Sequence, residues 1–426
     1  MRMERLGDGG SPARVLRALG VRARDLGIAP PAALTGLWFG AAAVIAPSLA
    51  TSPAPVRGTF TRADRTTGRI AREDGPLIGG GWIGYLAYPD RVPRTPALPV
   101  AAGGWTDVVL RLDDSGCWWY ETLTDEPCPP DLAAAVHDPD PTVPDWRIDW
   151  TPPDRATHRH GVEQCLDAIR AGEVYQACVC TRFTGTWSGN PLAFFADAVE
   201  TTRPNRAAYL QGPWGAVASL SPELFLACHG DRVESSPIKG TLPLHRDPAD
   251  LRASVKDVAE NVMIVDLVRN DLGRVAETGT VTVTDLLGVH PAPGVWHLVS
   301  TVAATLGPDV TADALLDAAF PPASVTGCPK LRARDLLQDW EELPRGVYCG
   351  TVGMASPVAG LELNVAIRTV EFAGNECALG VGGGITIDSD PDAEWQECLD
   401  KAASILQLSP RTRPVPRAAR TAGTLR

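Results

Sequence analysis

A lysine, five acids and a histidine, scattered over the second half of the chain, are the side chains from which an active site can be assembled. Lys239 sits in SSPIKGTLP, a Pro- and Gly-punctuated stretch read as a loop. Its amine becomes a nucleophile if burial or a neighbouring cation lowers its pKa, and is otherwise an ordinary exposed lysine. DLRASVKDVAENVMIVDLVRNDLGR reads as a helix with Asp257 and Glu260 about 60° apart on one face. A last helix, 391–406, starts from Asp390 as N-cap and Pro391 in its first turn. On it Glu394, Glu397 and Lys401 fall in a stripe roughly 60° wide. Two helices that each offer an acid pair can build an all-oxygen site for Mg²⁺, which keeps several waters and takes few carboxylates. Taken alone, either pair is simply a solvated helix face. Glu223, in SLSPELFL, opens an apolar strand; there an acid with a raised pKa is a general acid, or else caps the strand. His297, in VWHLVST, is a core histidine or a donor to developing charge.

The glycine run Gly380-Val381-Gly382-Gly383-Gly384, just ahead of the last helix, favours the site over the solvated face. Glycines permit close backbone approach, and N–H groups before a helix start favour an anion. The run matches neither GxGxxG nor a Walker loop, so no nucleotide is implied, and a Gly-rich β-turn is the plainer explanation.

The surrounding elements must position these groups. From about 33 to 125, LWFGAAAVIA, GGGWIGYLAY, DVVLRL and CWWYETL alternate with turn signals as strands of a mostly antiparallel sheet. Residues 1–28 read as a short basic helix or a partly ordered arm. The Pro- and Asp-rich stretch 126–156 reads as a long surface connection, and 157–408 as the region that carries the chemistry. Within the latter, helices are expected near 157–171, 191–202, 312–319, 330–340 and 391–406, with strands between them; LELNVAIRTVEF reads as a single strand. A basic, Pro-rich tail, 409–426, is expected to be disordered. Strands in groups with helices between them argue an α+β class with large antiparallel sheets.

Bulk properties narrow the partners. A formal charge of -12 and pI near 5.1 speak against nucleic acid or an anionic membrane, so an anionic substrate needs a local basic pocket or a metal ion. The ten cysteines form no CxxC pair and read as reduced thiols of a cytoplasmic protein, with Cys178 and Cys180 on one strand face. The apolar run from Leu34 to Ala50 is broken by Gly, Ser and Pro and reads as core strand, not membrane span.

The stretches SPIKGT, DLRASVKDVAENVMIVDLVRNDLGRV, HLVSTVA, FPPASVTGCPK, YCGTVG, LNVAIRTV and GGGITIDSDPDAEWQECLDKA together resemble, in order, the signatures of the chorismate-utilising enzymes. That family includes anthranilate synthase component I, aminodeoxychorismate synthase component I, and the isochorismate and salicylate synthases. The resemblance spans about 155–405, and GGGWIGYLAY is similar to the N-terminal part of the amino-transferring members. It implies a large two-sheet antiparallel α/β sandwich flanked by helices, with a Mg²⁺-dependent chorismate site. Glu260 and Glu397 resemble the direct Mg²⁺ ligands, with Asp257 and Glu394 helping through water. By the same resemblance, Tyr348, Arg368, Lys401 and the Gly382, Gly383 and Gly384 backbone hold substrate carboxylates, and Gly240 and Thr241 line the ring. Glu223 matches the acid that helps the departing hydroxyl, and His297 the histidine near the ring carboxylate.

PIKGT resembles the aminodeoxychorismate synthases, where anthranilate synthases usually carry PIAGT. The resemblance implies that Lys239 attacks the ring and that ammonia then displaces it. Members that activate water carry lysine where this chain has Gln176. No GxCxG nucleophile elbow is present, so a separate glutaminase is the implied ammonia source.

Overall fold

Apolar alternation along short runs at both ends of the chain folds into two antiparallel sheets, each built from N- and C-terminal strands. The computed structural model describes residues 1–60, 77–90, 97–138 and 145–410. Among these, the first sheet has twelve strands: β1 (Arg2–Asp8), β2 (Ala32–Trp38), β3 (Ala41–Ala46), β7 (Val108–Leu112), β8 (Cys117–Thr122), β9 (Trp146–Thr151), β10 (Gln176–Gly189), β11 (Arg206–Gly212), β12 (Gly215–Ser221), β18 (Gly327–Cys328), β21 (Thr369–Ala373) and β22 (Glu376–Ile385). The second has ten: β4 (Ser52–Pro53), β5 (Gly81–Leu86), β6 (Ala101–Thr106), β13 (Leu224–His229), β14 (Arg232–Ser236), β15 (Ile238–Pro243), β16 (Thr282–Ala292), β17 (Val295–Thr305), β19 (Thr351–Ser356) and β20 (Gly360–Asn364). The helices are α1 (Pro12–Leu26), α2 (Pro130–His137), α3 (Arg155–Arg170), α4 (Pro191–Thr202), α5 (Ala249–Ala253), α6 (Val255–Gly273), α7 (Ala312–Ala319), α8 (Lys330–Trp340) and α9 (Pro391–Leu406).

Period-2 strands bury one face against the other sheet: Leu34, Val44 and Val217 of the first meet Ile83, Tyr85 and Met354 of the second. Helices α1, α2, α4 and α9 cover the outer face of the first sheet through Leu16, Leu132, Phe194 and Ile405. Ile264 and Leu272 of α6 and Leu315 of α7 join the core of the second, while Val162 of α3 and Leu337 of α8 pack on β10. None of these helices is long and apolar enough to cross a membrane. All ten cysteines are free thiols.

The α+β expectation with two large antiparallel sheets holds, and four local readings change. Lys239 is on strand β15, not in a loop. Pairing of β15 with β17 shifts register between Ile238 and Thr241, and Gly240 sits in that irregularity at φ +88. LELNVAIRTVEF is not one strand: β20 belongs to the second sheet and β21 to the first, and Arg368 takes φ +50 at the crossing. Residues 1–28 hold a strand, β1, before the helix α1. The stretch 126–156 carries α2 and β9, and the parts on either side of it share both sheets through β2–β11 and β5–β19 pairing. Most of the tail expected to be disordered, 411–426, lies outside the described residues.

Two caps set the helices that carry the acids. Ser254 accepts the Asp257 N–H at 3.2 Å and starts α6; Asp390 accepts from Asp392 and Ala393 N–H and starts α9. A buried arginine, Arg345, then ties the neighbouring turns together. It donates to the carbonyls of Val325 (2.7 Å) and Cys178 (2.6 Å) and pairs with Glu341, which itself accepts the Cys180 N–H. The turn at 323–325 is thereby fixed against β10, and Ser324 with it.

Candidate active site

Five sequence-expected groups meet where β15, β17 and the 323–325 turn converge. The Lys239 ammonium donates to the Ser324 carbonyl at 3.0 Å, and the Ser324 hydroxyl donates to Glu223 Oε1 at 2.6 Å. Glu223 is therefore held beside the lysine by one residue. Burial lifts its carboxyl from 4.5 to about 7, even though Ser324, Lys239 and Arg368 all favour the charged form. Two residues beyond Lys239 on β15, Thr241 Oγ1 lies 2.9 Å from Nδ1 of His297 on the adjacent strand β17. His297 is buried and its pKa falls to about 4, first through desolvation and then through Arg368, so at neutral pH the ring is uncharged. Arg368 projects into the same place from the crossover between the sheets. Among the described residues its guanidinium has no ion-pair or hydrogen-bond partner, while Glu223 and His297 both feel its charge.

The second half of the site lies where α6 and α9 flank β22. The glycine run is strand rather than turn, with Gly382, Gly383 and Gly384 paired to Cys180, Val179 and Cys178 of β10. A Cβ built on Gly383 would lie 2.9 Å from Glu394 Oε2, 3.8 Å from Glu397 Oε1 and 3.9 Å from Lys401 Nζ, so the expected stripe on α9 converges on that glycine. A Cβ on Gly384 would meet Gln176 Nε2 at 2.4 Å and Glu260 Oε2 at 3.4 Å. A larger residue at Gly383 would push into Glu394 and one at Gly384 into the Gln176 amide, which is the physical reason for glycine here. Across the gap, a Cβ on Gly240 would touch the Asp257 carboxyl carbon at 3.2 Å.

Charge at these acids is balanced by lysines. Lys401 pairs with Glu397 at 2.7 Å and donates to the Gly382 carbonyl at 2.8 Å. Burial works against the Glu397 charge, but Lys401, with Lys256 and Lys239 beyond it, outweighs that and holds the carboxyl below its usual range. Glu260 goes the other way: burial raises it, and Lys239 and Lys256 offset this only in part. Lys239 thus acts electrostatically on Glu223, Glu260 and Glu397 together. Glu394 is 2% exposed; its Oε1 takes the Ser389 hydroxyl at 2.6 Å, while Oε2 is buried without a partner.

Tyr348 stands farther along the same strand face. Its ring packs beneath Gly380, its hydroxyl lies 4.0 Å from Cys180 Sγ, and it lines a cavity of about 160 Å³ with Arg345 and Glu371. Contacts with the acids and with Lys239 are made by other residues. Cys178 and Cys180 share a face as expected, with sulfurs 3.9 Å apart. Three residues that matter here escaped the sequence reading. Ser324 gave no signal, being one small residue in a Pro-rich loop. Asn261, whose Oδ1 accepts the Ser300 hydroxyl at 2.5 Å, was visible as a polar residue in an apolar helix stripe. Lys256 was visible too, four residues before Glu260.

The acids offer only hard oxygen donors, one of them orphaned, which suits Mg²⁺ or a similar cation completed by water. Among the described residues no three His, Cys, Asp or Glu side chains converge closely enough to hold a metal unaided.

The chorismate binding enzyme family matches residues 59–407. Aminodeoxychorismate synthase component 1 of Escherichia coli is 39% identical over 270 residues, covering 62% of this chain and 59% of that protein. The protein of the same name from Salmonella typhimurium is 36% identical over 355 residues, covering 77% and 76%. Anthranilate synthase component I of Streptococcus pneumoniae superposes with a TM-score of 0.69 at 26% identity, over 83% of this chain and 86% of that one. The matched stretch thus spans somewhat under two thirds of the E. coli relative.

Proposed function

This chain belongs to the chorismate-binding enzyme family, and we propose that within it the chain is the synthase component of an aminodeoxychorismate synthase. It would convert chorismate and ammonia to 4-amino-4-deoxychorismate, the precursor of 4-aminobenzoate and folate, in the cytoplasm. A glutaminase subunit would supply the ammonia. The observation that carries the reading is Lys239, held on β15 beside a Glu223 whose carboxyl stays protonated to about pH 7.

In this reading the Lys239 amine bonds to ring C2, both ring double bonds shift by one position, and the C4–O bond breaks. Glu223 gives its proton to the departing oxygen, which leaves as water. Ammonia then bonds to C4, the double bonds return, the C2–N bond to Lys239 breaks to restore the amine, and the proton shed by the new C4 ammonium returns to Glu223. One hard displacement becomes two easier ones. Arg368, unpartnered among the described residues, takes a substrate carboxylate, with Lys401, Tyr348 and the Gly382–Gly384 backbone assisting. His297, neutral and oriented by Thr241, donates to the ring carboxylate, and Gly240 and Thr241 line the ring. Glu260 and Glu397 would hold Mg²⁺ directly, with Asp257 and Glu394 through water. Bound there, Mg²⁺ supplies positive charge for a carboxylate of the substrate dianion in an otherwise acidic protein.

The test is turnover of chorismate with an ammonium salt, with and without Mg²⁺, and the product identified with and without an added lyase. Expected are Mg²⁺-dependent loss of chorismate and 4-aminobenzoate only when the lyase is present. Anthranilate formed without the lyase would overturn the reading in favour of an anthranilate synthase.

A further inference from the structure

Among the described lysines around the acids, Lys256 is the one to which the proposed reaction gives no task. It stands at the second position of α6, one turn before Glu260. Its ammonium lies 3.2 Å from Glu394 Oε1 and 3.9 Å from Glu260 Oε1, joining an acid of α9 to an acid of its own helix. Those carboxylate side chains are 3% and 10% exposed, whereas the lysine side chain is 46% exposed and reaches in from solvent. A cation in the first turn of a helix opposes the helix dipole, so its partners, not its place on the helix, account for it. The other lysines near the cluster have further anchors: Lys401 on the Gly382 carbonyl, Lys239 on the Ser324 carbonyl. Among the described residues, Lys256 makes hydrogen-bonded or ion-pair contact only with the two acids.

We propose that Lys256 is the internal counter-ion of the acid cluster, filling the gap between Glu260 and Glu394 and leaving it when the divalent cation enters. The proposal rests on the reading that these acids hold Mg²⁺. Without a cation between them, buried carboxylates from two helices would repel one another and splay α6 from α9. An ammonium on a flexible four-carbon stem holds them together at modest strength. It can withdraw to solvent by side-chain rotation alone. Ammonium and divalent ion cannot share the gap, since like charges a few ångströms apart repel strongly. Cation binding is therefore an exchange, and the orphaned Glu394 Oε2 is the acceptor that the single ammonium leaves unused.

The experiment is a titration of the full chain with Mn²⁺, the free ion followed by electron paramagnetic resonance, alongside thermal unfolding with and without Mg²⁺. Wild type, Lys256→Met and Lys256→Arg are compared without substrate. Lys256→Met is expected to bind Mn²⁺ about tenfold more tightly, because the competing cation is gone. It should also melt lower than wild type when metal-free and gain more from Mg²⁺. Lys256→Arg, which keeps the charge, should bind no more tightly than wild type. Equal or weaker Mn²⁺ binding by Lys256→Met, with wild type binding normally, would overturn the counter-ion role and leave the metal reading standing. Failure of wild type and Lys256→Met alike to bind Mn²⁺ would overturn the metal reading and this inference with it.

Discussion

Replacing Lys239 by alanine is expected to lower formation of aminodeoxychorismate by on the order of 10³-fold or more, the scale seen when an enzyme loses its nucleophile. The fold should survive. Lys239 is a partly buried residue of β15 whose side-chain hydrogen bond goes to a turn that Arg345 already anchors to β10. Circular dichroism should therefore resemble that of wild type and Mn²⁺ binding should be retained, while product, followed through a coupled lyase, disappears. Alanine at this position makes the PIAGT that resembles anthranilate synthases, so the variant's product should be checked for anthranilate as well.

Glu223→Gln is the second large effect, and its two readouts move in opposite directions. Glutamine cannot give up the proton that the departing hydroxyl needs, so turnover at pH 7 is expected to fall by roughly 10²–10⁴-fold. Stability should rise. The Glu223 pKa is higher folded (about 7) than unfolded (4.5), so its contribution to stability is fully present below pH 4.5 and lost as pH rises through 7. Above pH 7 the buried charge costs up to roughly 3 kcal/mol, a penalty the neutral amide avoids. The amide oxygen can still accept the Ser324 hydroxyl. Denaturation in urea at pH 8 should thus place the variant's midpoint above wild type, with the gain vanishing near pH 4.5. Wild-type turnover should decline as pH rises past 7, where the acid loses its proton. A variant both less active and less stable at pH 8 would mean that Glu223 serves packing rather than acid catalysis.

What could be read from the residues followed local physics. The cap of α9 by Asp390 and Pro391, and the convergence of Glu394, Glu397 and Lys401, need only the helical repeat, and Gly383 meets all three. Asp257 and Glu260 face the site for the same reason. Lys239 was harder, because SSPIKGTLP has the composition of a loop, yet strand β17 pairs with it and Gly240 absorbs the register shift. Arg368 reaches the site because LNVAIRTV changes sheets, a long-range choice that no periodicity within the segment encodes. The same holds for β5 beside β19, which brings 81–86 next to 351–356. Ser324, the link between Lys239 and Glu223, depends on how a turn is held by an arginine twenty-one residues later and was invisible to pattern.

The most direct measurement is the intact mass of the protein after incubation with chorismate and Mg²⁺ in the strict absence of ammonia. Wild type should gain the mass of chorismate less one water, localised by peptide mapping to Lys239. The adduct should vanish on adding ammonium and never form in Lys239→Ala. Ammonium-dependent aminodeoxychorismate synthesis by Lys239→Ala at the wild-type rate would contradict the account.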